Sequence, residues 1–386
     1  MKEEKRDNVL NILSDLVNIS SYGKIGRDHP IMEYLRKRFS ECSELVELED
    51  KNGNIHLLVG VNCELKDINN SILLSGHIDT VSASEGHSSE MMFDGENFKG
   101  LGTSDMKSFI ASMIANIDYF KSLSIPVILS ITSDEETQLL GINKIINELK
   151  ARNIKPGLTI IGEPSNLDYY VSSRGNSVYV GIMNGLAVHS GTPELGINAI
   201  ERIAEFVMEI KKISEVYSKE SSVCITSIKG GKVPSNVVPD ECSTCFGIRT
   251  SDSKVLDTIY TYLENKFHEI SKDYGDSKLF SVVAIPPFER RNNEFINNQA
   301  DLSKKKLVDA SYATEAGYFQ KEYPDSSILI YGPGNPIGIH KAGEAISLNN
   351  LLQYQIELIE LLDSYLEYNK QDKRSVNRLL SKPSEG

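Results

Sequence analysis

The sequence predicts an α/β protein: a mixed, mostly parallel sheet covered by helices, into which a smaller α+β two-layer sandwich is inserted. Three observations carry this. Over roughly the first 170 residues, continuous apolar β-type runs alternate with amphipathic helical patterns, as strands buried on both faces require. From about residue 174 the strand candidates alternate apolar and polar residues instead, and after about residue 290 the first pattern returns. A chain of 386 residues also exceeds what one hydrophobic core usually organises. The expected division is 1–173 and 290–386 for one domain made of two parts, and 174–289 for the insert.

In the first part the strand candidates are NIHLLVGV, SILLSG, PVILSIT and LTIIGE. Between them, DMKSFIASMIANIDYFK puts Phe109, Met113, Ile114 and Ile117 on one helical face, and INKIINELKAR does the same with Ile142, Ile145, Ile146 and Leu149. In the insert, SVYVGIM places Val178, Val180 and Ile182 on one face of a strand. SVCITSI follows after the long helical pattern NAIERIAEFVMEIKKI, and TCFGIRT comes next, before the second such pattern, KVLDTIYTYLENKFHEI. Strand, helix, strand, strand, helix, strand is the order of a sandwich with both helices on one face of an antiparallel sheet. The last part holds TEAGYFQKE, the strand SSILIYGPG and a long amphipathic helix through LLQYQIELIELLDSYLEY. The polar tail NKQDKRSVNRLLSKPSEG is expected to be partly disordered.

Apolar residues at 40% and charged residues at 25% are those of an ordinary folded domain. Lys+Arg 41 against Asp+Glu 54 leaves a net charge of −13, a field that repels phosphate backbones and anionic lipid, so neither nucleic acid nor membrane is an expected partner. The opening MKEEKRDNVLNILSDL lacks a basic-then-apolar leader, and no apolar run approaches the roughly 18 residues of a membrane span, which makes the cytoplasm the expected location. Five widely spread cysteines, an odd number, do not read as a disulfide framework. Cys242 and Cys245 have zinc-ligand spacing, but they lie in the strand-like ECSTCFGIRT, where residues three apart point to opposite faces.

Candidate chemistry collects at the ends of four apolar strands. SILLSG runs into His77 and Asp79, PVILSITSD into Glu135 and Glu136, LTIIG into Glu163, and SSILIYGPG is followed at short range by His340. In open α/β sheets the carboxyl ends of the strands define the ligand crevice, so these four ends are expected to converge. Asp105, in GTSDMK at the start of a predicted helix, adds a carboxylate at a position that also suits an N-cap. Such a density of like charge calls for cations. Mixed imidazole and carboxylate donors suit Zn²⁺, with Co²⁺ or Mn²⁺ as alternatives.

These stretches, SGHIDTV, GTSDMK, SDEETQLLG, IGEPS, VHSGTPELGINAI, GGKVPSNVVPD with Arg249 downstream, and YGPGNPIGIH, resemble in sequence order the di-zinc aminoacylase and acetylornithine deacetylase family. That family includes succinyl-diaminopimelate desuccinylases and glutamate-type carboxypeptidases, and the resemblance spans residues 77 to 340. It implies a zinc-peptidase-like catalytic domain carrying a lid and dimerisation domain. It further implies that His77 and Glu163 bind one zinc, that Glu136 and His340 bind the other, and that Asp105 bridges them. Asp79 would orient His77, and Glu135 would be the general base for a zinc-activated water. By the same resemblance His189 completes the oxyanion site, reaching in from the partner subunit of a homodimer. Asn236 and Arg249 contact the substrate, with Arg249 gripping its carboxylate, and Gly334, with Gly332 and Pro333, shapes the turn before His340.

The stretch YATEAGYFQ resembles that of acetylornithine deacetylases more than that of desuccinylases, which implies deacetylation of an N-acetylornithine-type N-acyl amino acid. Glu315 is the candidate partner for a basic substrate side chain. The alternatives are a succinyl-diaminopimelate desuccinylase, a dipeptidase or carboxypeptidase with the same metal pair, and a non-catalytic binding paralogue. Leu101 stands where the family commonly has Arg, Ser108 where Gly usually follows the DMK triplet, and the chain has no Trp, departures that bear on the pocket wall. Glu344 reads equally as a helix-start carboxylate or as a partner of the site. His29, His56, His87 and His268 read as structural or exposed.

Overall fold

The structure, a computed structural model, describes residues 3–83, 90–232, 235–272 and 275–380; His87 lies outside them. The first stretch of chain forms α1 (Glu3–Asn18), α2 (Pro30–Arg38), β1 (Glu44–Glu49), β2 (Ile55–Gly60), β3 (Asn69–His77), β4 (Met92–Phe93), β5 (Asn97–Lys99), α3 (Lys107–Ala115), α4 (Ile117–Ser122), β6 (Val127–Thr132), α5 (Leu140–Ala151), β7 (Lys155–Ile161) and β8 (Tyr169–Ser173). The middle forms β9 (Asn176–Asn184), α6 (Ala199–Val216), β10 (Ser221–Gly230), β11 (Glu241–Thr250), α7 (Ser253–Ser271) and β12 (Lys278–Ile285). The last part forms α8 (Glu294–Ser303), β13 (Leu307–Ala310), α9 (Ala316–Glu322), β14 (Ser327–Ile330), β15 (Ala345–Ser347) and α10 (Leu348–Leu380).

The chain divides into two compact units. The first spans Met1–Val171, Arg291–Val308 and Phe319–Gly386. Its main sheet runs β1-β2-β6-β3-β7-β14-β8-β13, and the four central strands β6, β3, β7 and β14 are mutually parallel. Along these strands Ile72, Leu74, Leu129 and Ile131 share a core with residues of α1, α2, α3 and α10, while Leu73 and Ile128, one position over, are equally buried on the opposite face. Burial on both faces is what the unbroken apolar runs encode. Ile142, Ile145, Ile146 and Leu149 form the buried face of α5 as their spacing predicts.

One local expectation is corrected. The predicted helix after Asp105 is broken at Asn116, whose side-chain amide donates to Ser112 O at 2.9 Å and to Gln355 Oε1 at 2.7 Å, so α3 and α4 are separate. The polar tail continues α10 as far as Leu380, consistent with its Lys, Arg, Gln and Leu content. The last six residues of that tail lie outside the described ones.

The second unit spans Ser172–Arg290 and Asp309–Tyr318. Its antiparallel sheet runs β10-β11-β9-β12, and α6 and α7 pack on one face around Tyr179, Phe206, Phe246 and Phe267. On β9 the helix-facing residues are Ser177, Tyr179 and Met183, so Val178, Val180 and Ile182 form the half-buried opposite face. Cys242 faces the helices and Cys245 the other side. Asp309–Tyr318 joins this unit although it lies far along the chain. Arg290 pairs with Asp309 at 2.9 Å, Ser172 Oγ donates to the same carboxylate, and Gly317 sits directly on the Pro286 backbone.

Candidate metal centre

Parallel pairing sets the strand ends level. His77 on β3 lies opposite Thr132, the last residue of β6, and Ser75 lies opposite Ile161, the last residue of β7, which in turn lies opposite Ile330 of β14. The ladder continues one step past the strands: Ile78 N–H donates to Thr132 O at 2.9 Å, Gly162 N–H to Ser75 O at 2.9 Å, and Tyr331 N–H to Ile161 O at 2.8 Å. Glu135 and Glu136, Glu163, and the loop to His340 therefore leave the sheet along one edge. Backbone approach then knits the loops. A Cβ at Gly162 would collide with the Phe109 ring, one at Gly332 with the carbonyls of Gly162 and Glu163, and one at Gly334 with Ser104 O, so these turns admit only glycine.

Asp105 is the meeting point. Its Oδ1 lies 3.1 Å from His77 Nε2 and its Oδ2 lies 3.2 Å from His340 Nε2, which is also 2.9 Å from Glu136 Oε1. Two donor triplets share this carboxylate: His77, Asp105 and Glu163, and Asp105, Glu136 and His340. In each, three ligand atoms lie within 4.8 Å of one another. Glu135 joins His77 and Glu136 in a further triplet. The N-cap of α3 is Met106, without a side-chain bond, so the capping role the sequence allowed Asp105 is not taken and its carboxylate faces the imidazoles instead. The Asp105–Met106 peptide is cis, and His340 has φ +59, a left-handed conformation uncommon outside glycine and characteristic of functional sites.

Burial, reinforced by Glu136 and Asp105, pushes Glu135 well above the ordinary carboxylate range, against the pull of His77. Glu163 is raised in the same way, by burial and by Asp105. Burial acts against a charged Asp105 and a charged His77, yet hydrogen bonds between them and from His340 hold Asp105 low and His77 well above its usual value. His340 is raised to about 10 by its bonds to Asp105 and Glu136. Crowded carboxylates interleaved with two imidazoles are a donor set that fits two divalent cations sharing Asp105.

Asp79, buried, is split between two tasks. Its carbonyl oxygen lies 3.0 Å from His77 Nδ1 and its carboxylate 3.5 Å from the same nitrogen, while the carboxylate accepts Glu135 N–H at 3.2 Å and Glu136 N–H at 3.0 Å. Glu344 is a partner of the site: its Oε1 accepts Ser104 N–H at 2.8 Å and Asp105 N–H at 3.1 Å, and α10 begins four residues later. Sequence reasoning missed Lys107. It is buried, and its Nζ donates to Leu16 O at 2.9 Å and Ile19 O at 3.0 Å, tying the end of α1 to the Asp105 loop; burial lowers its pKa to about 7. Its position two residues after Asp105 was the available signal.

His189, Asn236, Arg249 and Glu315 belong to the second unit. His189 bridges to Val237, and Ser190 N–H donates to Asn236 O at 2.8 Å, so His189 and Asn236 share one exposed loop pair. Arg249 is exposed opposite Ser222, at the far end of β11 from that loop pair, about eight residues or roughly 27 Å along an extended strand. Glu315 is buried just before α9.

The class this fold and site define is a metal-dependent hydrolase of amide bonds. The chain matches the profile of peptidase family M20/M25/M40 over residues 73–362 and belongs to that family. It is 28% identical over 372 residues to an uncharacterised metallohydrolase of Methanocaldococcus jannaschii, covering 93% of this chain and 98% of the relative. It is 27% identical over 340 residues to the acetylornithine deacetylase of Aliivibrio fischeri, covering 82% of this chain and 87% of that protein. Among solved structures it is similar to the aminopeptidase PepT of Bacillus cereus, with a TM-score of 0.74, 19% identity, and coverage of 93% of this chain and 98% of the other.

Proposed function

We propose that the protein removes the acyl group from an N-acyl amino acid, acetate from an N-acetylornithine-type substrate being the first choice. In this reading two Zn²⁺ are held by His77 and Glu163 and by Glu136 and His340, with Asp105 between them. The observation that carries it is the Asp105 carboxylate, each oxygen of which faces a different histidine at about 3 Å. When bound, the zinc pair supplies Lewis-acid polarisation of the amide carbonyl and lowers the pKa of water. Glu135 takes the water proton on its carboxylate and delivers it to the leaving amine. Asp79 holds the backbone of Glu135 and Glu136 so that one side chain serves the metal while its neighbour stays free for the proton.

His189 supports the developing oxyanion from the partner subunit of a cytoplasmic homodimer built through the second unit. Asn236 and Arg249 contact the substrate, Arg249 receiving its carboxylate, Glu315 answers a basic side chain, and Gly334 shapes the pocket wall. A dipeptidase or desuccinylase would use the same donors and base. A panel of N-acetylornithine, a succinylated diamine and dipeptides, assayed with Zn²⁺ or Co²⁺, separates these substrates. Glu135→Gln is expected to lower turnover about 10²- to 10⁴-fold with metal content unchanged; equal turnover in both proteins removes Glu135 from the role of base.

A further inference from the structure

Behind the Glu135–Glu136 turn lies a second buried group that the hydrolytic reading does not use: Asp50, His56 and Asp134. His56 stands on β2, a strand whose six residues are all buried and whose other side chains are apolar. A buried imidazole in that setting is costly unless it answers a polar partner. Its partner is the turn. Ser133 N–H donates to His56 Nδ1 at 3.2 Å, and Ser133 Oγ donates to Ile55 O at 2.7 Å, so β2 continues to hold the chain just where β6 ends. Asp134 holds the other side, accepting Leu140 N–H at 2.7 Å and Gly141 N–H at 3.0 Å at the start of α5. A Cβ at Gly141 would collide with His56 and Asp134, so the three positions are packed without slack.

The group has the residue types of a cation site but not the free lone pairs. Asp50 accepts Asn52 N–H at 2.7 Å and, from Asn54, its backbone N–H and side-chain amide, both at 2.9 Å. Asp134 is likewise engaged, and Nδ1 of His56 is taken by Ser133. Because Nδ1 accepts, the ring proton belongs on Nε2, which points toward Asp50 Oδ2 at 3.6 Å and has no closer polar partner among the described residues.

We infer that His56 is a positioning residue: through Ser133 it fixes the turn that presents Glu135 and Glu136, acting from outside the metal-binding set. The inference deepens the hydrolytic reading and rests on its assignment of Glu136 as a ligand. His56→Leu fills the space but leaves Ser133 N–H buried without an acceptor, whereas His56→Asn returns an acceptor near the position of Nδ1.

The test compares wild type, His56→Leu, His56→Asn and Gly141→Ala by Co²⁺ titration and by amide hydrogen exchange of the 133–141 peptide. His56→Leu and Gly141→Ala are expected to weaken one of two Co²⁺ equivalents about tenfold and to speed exchange in that peptide about tenfold, with His56→Asn restoring most of both. Co²⁺ affinities and exchange equal to wild type in His56→Leu overturn the inference. So does equal damage in His56→Asn and His56→Leu, which marks the residue as mere filling, and so does loss of a third Co²⁺ equivalent, which marks the group as a cation site. Should His56→Leu not fold, Gly141→Ala decides: the tenfold changes support the inference, and Co²⁺ affinities and exchange equal to wild type overturn it. Should wild type bind no pair of Co²⁺ ions, the reading of the metal centre fails, while the exchange comparison still decides the role of His56.

Discussion

At the scale of single residues, the site is controlled as much by missing side chains as by present ones. Gly162 follows β7 and precedes Glu163, and the Phe109 ring occupies the space a Cβ would need. Gly162→Ala must therefore move either the α3 aromatic or the backbone that carries Glu163. It is expected to lower metal affinity about tenfold, in the range that disturbed support of a ligand usually costs. Calorimetric titration with Zn²⁺ measures this, and an unchanged affinity means that the Phe109 ring, not the Glu163 backbone, takes up the added methyl group. Glu344, Lys107 and Asp79 act similarly from behind the donors, through backbone N–H and C=O groups. That His77, Glu136, Glu163 and His340 would gather was legible in the sequence, because each lies at or shortly after the end of an apolar run that reads as a buried strand, and parallel strands bring their carboxyl ends together; Asp105, the remaining proposed donor, was marked by the start of a predicted helix. The role of His56 was not legible, and Glu344 allowed two readings, since their partners lie 77 and 240 residues away and no local pattern announces such contacts.

At the scale of elements, periodicity located the helices and strands but left their faces and breaks to packing. Asn116 ends α3 by turning its side chain onto the helix's own carbonyl and onto Gln355 of α10, a competition that a hydrophobic pattern cannot register. On β9 the strict alternation was visible, but both alternating sets are largely apolar, so only the position of α6 and α7 decides that Tyr179 and Met183 face the core. In that core Phe206 meets Phe246 and Phe267 with ring centroids 5.9 and 5.2 Å apart. Phe206→Ala is expected to cost about 3–5 kcal/mol of the second unit's stability, read by urea denaturation. Zn²⁺ content should stay unchanged, because no proposed metal donor lies in that unit. A cost below about 1 kcal/mol would mean that this aromatic cluster does not hold the sandwich together.

At the scale of the whole molecule, the acidic chain concentrates carboxylates at one edge of a parallel sheet, where burial makes them mutually expensive unless cations share them. Everything functional in this reading follows from that concentration: the choice of donors, the free carboxylate beside them, and the loops held from behind by Asp79, Glu344 and His56. The most direct test is an anomalous difference map from crystals of the Zn²⁺-loaded protein. Two peaks are expected, one bounded by His77 and Glu163, the other by Glu136 and His340, both in contact with Asp105. A single peak, or peaks that do not touch Asp105, would contradict the account.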